Sequence, residues 1–174
     1  MGLKTVADDT REKRQLEQIS EGATNILKQV RSMSHMLRPP ELDRLGLTET
    51  IRSLLTSVRE AYGMALNAEV DEIDGLVEPR NEINIIRILQ ESLSNIQKHS
   101  GATEIDVRVA VTGDRLSLTI RDNGKGYAQD SVHHGIGLAG ITERVRILDG
   151  SLSIATGEGN GTSVTVTIPV TQRA

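Results

Sequence analysis

From about Arg11 to Arg38, Leu16, Ile19, Ala23, Ile26, Val30, Met33 and Leu37 recur at spacings of three and four among good helix formers. That stripe predicts an amphipathic helix of about seven turns. Pro39-Pro40 closes it, because proline lacks an N–H and disfavours helix in the residue before it. The apolar side of this helix needs a partner, and no second long helix precedes it. A short turn through Leu42–Leu47 leads to a second helix from Thr48 to about Tyr62. Thr48 is its expected N-cap, and Ile51, Leu54, Leu55 and Val58 form its buried side. Met64–Val70 reads as a strand. Pro79 opens a third helix running to about Ser100, where Gly101 stops it.

Beyond Gly101 the period changes from helical to alternating. Ile105, Val107, Val109 and Val111 interleave with Glu104, Asp106, Arg108 and Ala110, and Leu116, Leu118 and Ile120 with Ser117 and Thr119. Leu152 and Ile154, then Val164, Val166 and Ile168, repeat the pattern. Each strand has one apolar and one polar side, whereas a sheet buried on both faces reads as continuous apolar runs. The sheet is therefore expected to be largely antiparallel, with one face wet and the other under helices. Leu138–Leu148, ended by Gly150, supplies a further covering helix. The predicted fold class is α+β: a two-layer α/β sandwich preceded by a long amphipathic helix. Residues 1–45 and 46–174 are the expected division.

Composition narrows this picture. The chain of 174 residues is 37% hydrophobic but has no Phe or Trp and only two tyrosines, Tyr62 and Tyr127, so the core must be aliphatic. A net charge of −4 argues against nucleic acid as a partner. Without cysteine, neither a disulfide framework nor a Cys-ligated metal site is open to it. No apolar run reaches the roughly 18 residues that span a bilayer.

The chemistry-bearing residues concentrate in four places. On a wheel turning about 100° per residue, Glu91, Asn95, Lys98 and His99 share one side of the third helix, with Ile86, Leu89, Leu93 and Ile96 nearly opposite. An acid, an amide and two potential cations on one face can hold a metal and a polyphosphate. Three glycine-rich segments follow: Asp122-Asn123-Gly124-Lys125-Gly126, Gly135-Ile136-Gly137-Leu138 and Gly159-Asn160-Gly161-Thr162. Glycines allow backbone N–H groups close to a ligand, although Asp-Asn-Gly is also a common turn and the last segment a common hairpin. Asp122 could accept a hydrogen bond from the exocyclic amine of a purine. Gly135–Gly140 matches GxGxxG, but the residues before it are polar and irregular rather than a buried strand, which rejects a dinucleotide fold. No GxxxxGK[ST] sequence occurs, which excludes a P-loop. Glycines ahead of a helix suit a mobile segment over phosphate.

Taken in order, these segments resemble the motifs of bacterial sensor histidine kinases. Glu91–His99 looks like their N box, Arg121–Gly126 and Gly135–Leu138 like their first two glycine boxes, and Gly159–Thr162 like the last. Gly140–Val145 and Leu37-Arg38-Pro39-Pro40-Glu41-Leu42-Asp43 with Leu45-Gly46-Leu47 are similar to the nitrate-sensing and membrane-fluidity-sensing subfamily. The resemblance covers residues 11–170 and implies a GHKL (Bergerat-type) fold that binds ATP and Mg²⁺. It implies that Asn95 ligates the metal, that Glu91 is a general base or orients the nucleophile, and that Lys98 and His99 approach the phosphates. Asp122 would take the adenine amine and Gly124 and Gly126 would make room for the base. Gly135, Gly137 and Leu138 would belong to the lid, and Thr162 would sit near the adenine.

The chain also departs from that family's pattern. The helix carrying the phosphate-accepting histidine is expected to be absent, since Arg11–Arg38 resembles only the second helix of the dimerisation and phosphotransfer hairpin. His35, between Ser34 and Met36 at the proline break, reads as an incidental helix residue. His133 and His134 read as part of the lid rather than a metal site. The expectation is therefore a cytoplasmic catalytic fragment that binds ATP, does not phosphorylate itself, and phosphorylates a supplied acceptor helix in trans. Its N-terminal helix would pair with a second copy in a homodimer or pack on its own ATP domain in a monomer. The chain would meet a membrane only through a missing upstream segment and serve a response regulator receiver domain through the full-length kinase. The competing expectations are a serine kinase of the anti-sigma type, an ATP-hydrolysing GHKL module, and a non-catalytic nucleotide-gated module.

Overall fold

Pro40 begins the first helix in the computed structural model, which describes residues 39–127 and 136–170. The helix expected over 11–38 with His35, and the segment with His133, His134 and Gly135, lie outside the described residues. Helix α1 spans Pro40–Tyr62 and strand β1 Ala65–Val70. Helix α2 spans Pro79–Asn95 and widens into a π-helical turn over Ile96–Ser100. The hairpin β2 (Glu104–Thr112) and β3 (Arg115–Asp122) follows, then α3 (Ile136–Ile147) and a second hairpin, β4 (Ser151–Thr156) and β5 (Thr162–Pro169). The sheet order is β1-β2-β3-β5-β4, parallel only between β1 and β2, where α2 makes the crossover. The expectation of a largely antiparallel sheet with one wet face holds.

Register explains why the two-residue alternation survives as one core face. Val70, Val109, Leu118, Val166 and Leu152 fall in one row across all five strands, and Ala68, Val107, Ile120, Val164 and Ile154 in the next. A slip by one residue would turn a whole row to solvent. Ile51, Leu55 and Val58 of α1, Ile85, Ile86, Ile88, Leu89 and Leu93 of α2, and Ile141 and Val145 of α3 form an aliphatic core with Val107, Val109, Leu118, Ile120 and Val166 of these rows, while Ala68 on the edge strand is exposed. Leu42 and Leu47 belong to the same cluster. The outward set, Glu104, Asp106 and Arg108 among them, is exposed. On the outer edge, Arg59 and Arg52 of α1 donate to the Leu66 and Val70 carbonyls of β1 at 2.8 and 3.0 Å, occupying acceptors that another strand would need.

Two helix ends differ from expectation. The helix expected from Thr48 does follow a break, at Gly46, but another helical stretch from Pro40 precedes that break and the Thr48 side chain does not cap the helix. The free N–H of Thr48 at that bend is taken by the Asp74 carboxylate at 2.9 Å, from a loop 26 residues on. The Thr48 hydroxyl also bonds Asp74 and accepts the N–H of Ile73. A cap supplied from so far away leaves no local sequence signature. At the end of α3 the left-handed residue is Asp149, while Gly150 closes its N–H onto the Val145 carbonyl at 3.0 Å. A side chain at Gly150 would meet Ile168 and the Thr167 carbonyl, so glycine there serves packing on β5. Gly101, by contrast, does stop its helix in the left-handed conformation.

Gly46 has φ 81 and ψ 175, a region open essentially to glycine, and a Cβ there would sit 2.8 Å from the Asp74 carboxylate. Gly46→Ala is expected to lower stability by about 1–3 kcal/mol, read as a shift in the urea midpoint followed by circular dichroism. An unshifted midpoint would show that the bend is not held by Gly46 and Asp74.

Candidate functional site

Continuing the alternation of β3 past Leu116, Leu118 and Ile120 brings Asp122 onto the core face. Its row is Leu66, Ile105, Asp122, Thr162 and Thr156, apolar on β1 and β2 and polar on the other three strands. Asp122 is only 3% exposed. A buried carboxylate requires hydrogen bonds in place of water. Asp122 Oδ1 accepts the Gly124 N–H at 2.8 Å, and the carboxylate also takes the Thr162 backbone N–H. Above this polar end of the sheet, under α2 and the first turn of α3, lies a cavity of about 400 Å³. That is large enough for a drug-sized ligand.

Two glycine segments interlock to make one wall. Gly159 donates to the Lys125 carbonyl at 2.7 Å, Lys125 to the Ser100 carbonyl at 2.9 Å, and Tyr127 to the Thr156 hydroxyl at 3.1 Å. Gly126 lies against the Gly157 and Gly161 carbonyls, and Gly161 against the Asp122 carbonyl, both at positive φ. Side chains would force these strand ends apart. Thr156 joins the same knot, its hydroxyl near Thr162 Oγ1 at 3.2 Å and the Gly161 carbonyl at 3.3 Å.

Helix α2 supplies the opposite wall. Pro79 stands at its N-terminus, where the missing N–H costs nothing. Its buried stripe of Ile85, Ile86, Ile88, Leu89 and Leu93 fixes the rotation that turns Asn95 to the cavity. The α-helical wheel does not hold past Asn95, because the π-helical turn makes each residue advance less. Asn95 and His99 line the cavity; Lys98 is exposed and does not. Glu91 reaches the backbone of α3, where a Cβ on Gly137 would strike its Oε1 and come within 3.3 Å of Asn95 Nδ2. Asp122, Gly126, Gly137, Leu138 and Thr162 also line the cavity. Gly124 sits behind it, against the Ser100 carbonyl and Cβ, so its small size serves packing rather than open space for a ligand. Gly135 lies outside the described residues. Ser92 and Tyr127 line the cavity without having been singled out in the sequence. The signal for Ser92 was a hydroxyl inside the apolar stripe of α2, and for Tyr127 an aromatic next to a glycine segment.

Residues 80–172 match the family model of histidine kinase-, DNA gyrase B- and HSP90-like ATPases. The chain belongs to that family. Among its relatives in this ATPase family are the sensor histidine kinase ComP of Bacillus subtilis, 34% identical over 84% of this chain and 19% of its own length, and the signal transduction histidine-protein kinase/phosphatase DegS of the same organism, 36% identical over 76% and 36%. The chain thus spans about a fifth to two-fifths of the length of these relatives. The histidine kinase domain of the Erythrobacter litoralis blue-light activated histidine kinase shares the fold at a TM-score of 0.64, with 22% identity over 71% of this chain and 61% of that one. The mycobacterial sensor histidine kinase MprB does so at 0.54, with 21% identity over 73% and 96%.

The cavity suits the nucleotide that an ATPase of this family takes. Its lining combines a buried carboxylate acceptor, Asp122, with the apolar side chains of Ile96, Ile120, Ile141 and Val164. It also includes an amide, Asn95, and an imidazole, His99. Among the described residues no group of three or more His, Asp or Glu could hold a metal ion. Magnesium commonly binds through one or two protein ligands plus phosphate oxygens and water, a role open to the Asn95 amide oxygen.

Burial holds the Asp122 carboxyl above its ordinary pKa, against the opposing pull of the Gly124 and Thr162 N–H groups. The folded state therefore holds this proton more tightly than the unfolded chain. Its stabilising contribution is full below the unfolded value of about 3.9 and is lost as pH rises through the higher native value. Asp122→Asn, which does not ionise, should lose less stability than the wild type over that rise, as measured by urea unfolding at a series of pH values. Parallel curves would show that Asp122 carries no such linkage.

Proposed function

We propose that this chain is the ATP-binding catalytic portion of a two-component sensor histidine kinase, transferring the γ-phosphoryl group of ATP to a histidine on a helix other than those described. The observation that carries the proposal is Asp122: a buried carboxylate on the core face of the sheet, lining a cavity that Asn95 and His99 also line. An ionised carboxylate accepts hydrogen bonds only, so it favours the 6-amino group of adenine and rejects the 6-oxo group of guanine. Relatives named as sensor histidine kinases support the reaction class.

Phosphoryl transfer needs positioning and charge neutralisation more than covalent help from the protein. Asn95 is assigned to magnesium, which when bound neutralises charge on the phosphate oxygens. His99 and Lys98 are assigned to the phosphates, Lys98 by reaching in from the rim. Glu91, beside the first turn of α3, acts as base or orients the attacking imidazole, whose own lone pair forms the N–P bond as the bond from phosphorus to the bridging oxygen breaks. Gly135, Gly137 and Leu138 form the lid side, Gly126 faces the base, Gly124 holds the floor behind Asp122, and Thr162 sits at the adenine end.

The wider assignment is part of the same proposal. Residues 1–45 correspond to part of the dimerisation and phosphotransfer region and 46–174 to the catalytic domain, within the nitrate-sensing and membrane-fluidity-sensing subfamily. The kinase dimerises through the N-terminal helical region, works on the cytoplasmic side and passes its phosphoryl group to a response regulator receiver domain. Among the described residues no helix is long and apolar enough to cross a membrane.

Incubation with labelled ATP and an acceptor-helix partner should give acid-labile protein-bound label, as a phosphoramidate does. Free phosphate without labelled protein would instead mark an ATP-hydrolysing module, acid-stable label a serine kinase, and binding without product a nucleotide-gated module. Asp122→Ala should weaken ATP binding by about 1.5–3 kcal/mol in calorimetric titration, and an unchanged preference for ATP over GTP would remove the adenine assignment. Asn95→Ala should abolish the magnesium-dependent part of nucleotide affinity while the circular dichroism spectrum stays that of the wild type. Retained magnesium dependence would place the metal elsewhere.

A further inference from the structure

Ser92 Oγ is buried without a hydrogen-bond partner, the one such side-chain atom among the described residues. Its surroundings make this unusual. A hydroxyl inside a helix normally bonds the carbonyl one turn back, and here Thr50 does so to Gly46, Thr56 to Arg52, Ser57 to Ser53, Ser100 to Ile96 and Thr142 to Leu138. Of the described buried helix hydroxyls, Thr50 and Ser100 make that bond, Thr48 bonds Asp74 and Ile73 instead, and Ser92 makes none. It stands between Leu89 and Ile96 in the apolar stripe of α2, is 3% exposed, and lines the cavity that Asp122 and Thr162 close from the sheet. An unsatisfied buried hydroxyl is unfavourable unless some state of the protein supplies its partner. The cavity is a side from which one can arrive, because Ser92 lines it.

We propose that Ser92 is a base-reading residue, its hydroxyl hydrogen-bonded to a purine ring nitrogen directly or through one water. This rests on the nucleotide reading above. The logic is complementarity of donors and acceptors. Asp122 offers an acceptor to the 6-amino group, but the ring nitrogens on either side of that group, N1 and N7, are acceptors and need donors. Thr162 Oγ1 is already within 3.2 Å of Thr156 Oγ1. Ser92 reaches the base from the helix layer, opposite Thr162 in the sheet layer, and brings an uncommitted O–H. Asp122 and Ser92 together then specify adenine by amine and ring nitrogen, so that a base with only one of the two groups is bound less well.

The test uses the full chain and ADP, 1-deaza-ADP and 7-deaza-ADP in calorimetric titrations, with melting of the ligand-free protein followed by circular dichroism. Ser92→Ala should weaken ADP about tenfold, the worth of one hydrogen bond of this kind, while the melting temperature of the ligand-free protein stays level or rises. One of the two deaza analogues should lose about the same factor on wild type yet lose nothing further on Ser92→Ala. Ser92→Cys, similar in bulk but with a weak S–H donor, should behave like the alanine variant. Wild-type affinity for ADP in both variants, or equal losses for both analogues in variant and wild type, overturns the role of Ser92 and leaves the nucleotide site standing. Failure of the wild type to bind ADP at all overturns both.

Discussion

A carboxylate placed where the sheet pattern calls for an aliphatic side chain is the constraint on which this molecule turns. Asp122 occupies the same face as Leu116, Leu118 and Ile120, two residues beyond the last of them, and lies under helices rather than in water. Every neighbouring departure from regularity answers its need for partners. The chain turns immediately after it so that the Gly124 N–H can return to Oδ1, and the Thr162 N–H meets the same carboxylate from β5. Because the polar row is continued by Thr162 and Thr156, the apolar core ends there and a cavity opens instead of a packed layer.

The glycines follow from that placement. Two chain segments, 123–127 and 157–161, must approach backbone to backbone for the sheet end to close around Asp122. Gly126 and Gly161 sit at contacts where a Cβ would overlap a carbonyl. Their spacing is thus a record of main-chain crowding, while Gly137 records a third close approach, of the α3 backbone to Glu91 and Asn95. Different physical demands produce the same residue type. A glycine-rich string alone therefore does not say which glycines touch a ligand, and Gly124 in particular turns out to support the floor from behind.

Elements whose signals are local and periodic were legible in the sequence: the alternating strands, the buried stripe of α2, its proline start and its glycine stop. Even Asp122 could be placed by counting in twos from Leu116. What escaped was set by tertiary partners. The helix over Thr48 gave no hint that Asp74 would take its N–H, and the α-helical wheel, sound as far as Asn95, misplaced Lys98 because Ile96–Ser100 widens into a π-helical turn anchored on Ser100. Thr156 looked like an ordinary strand residue and only its neighbours distinguish it, whereas Ser92 showed only as a hydroxyl inside an apolar stripe.

The aliphatic character of the interior has an optical side. Without tryptophan, and with Tyr62 at the far end of α1, the chromophore set in the cavity wall is Tyr127, its N–H on Thr156 and its phenol held above its usual pKa by burial and by the nearby charge of Asp122. A phenol in the chamber wall, with one other phenol and no indole in the chain, is thus the chromophore through which ultraviolet emission would be used to follow occupancy.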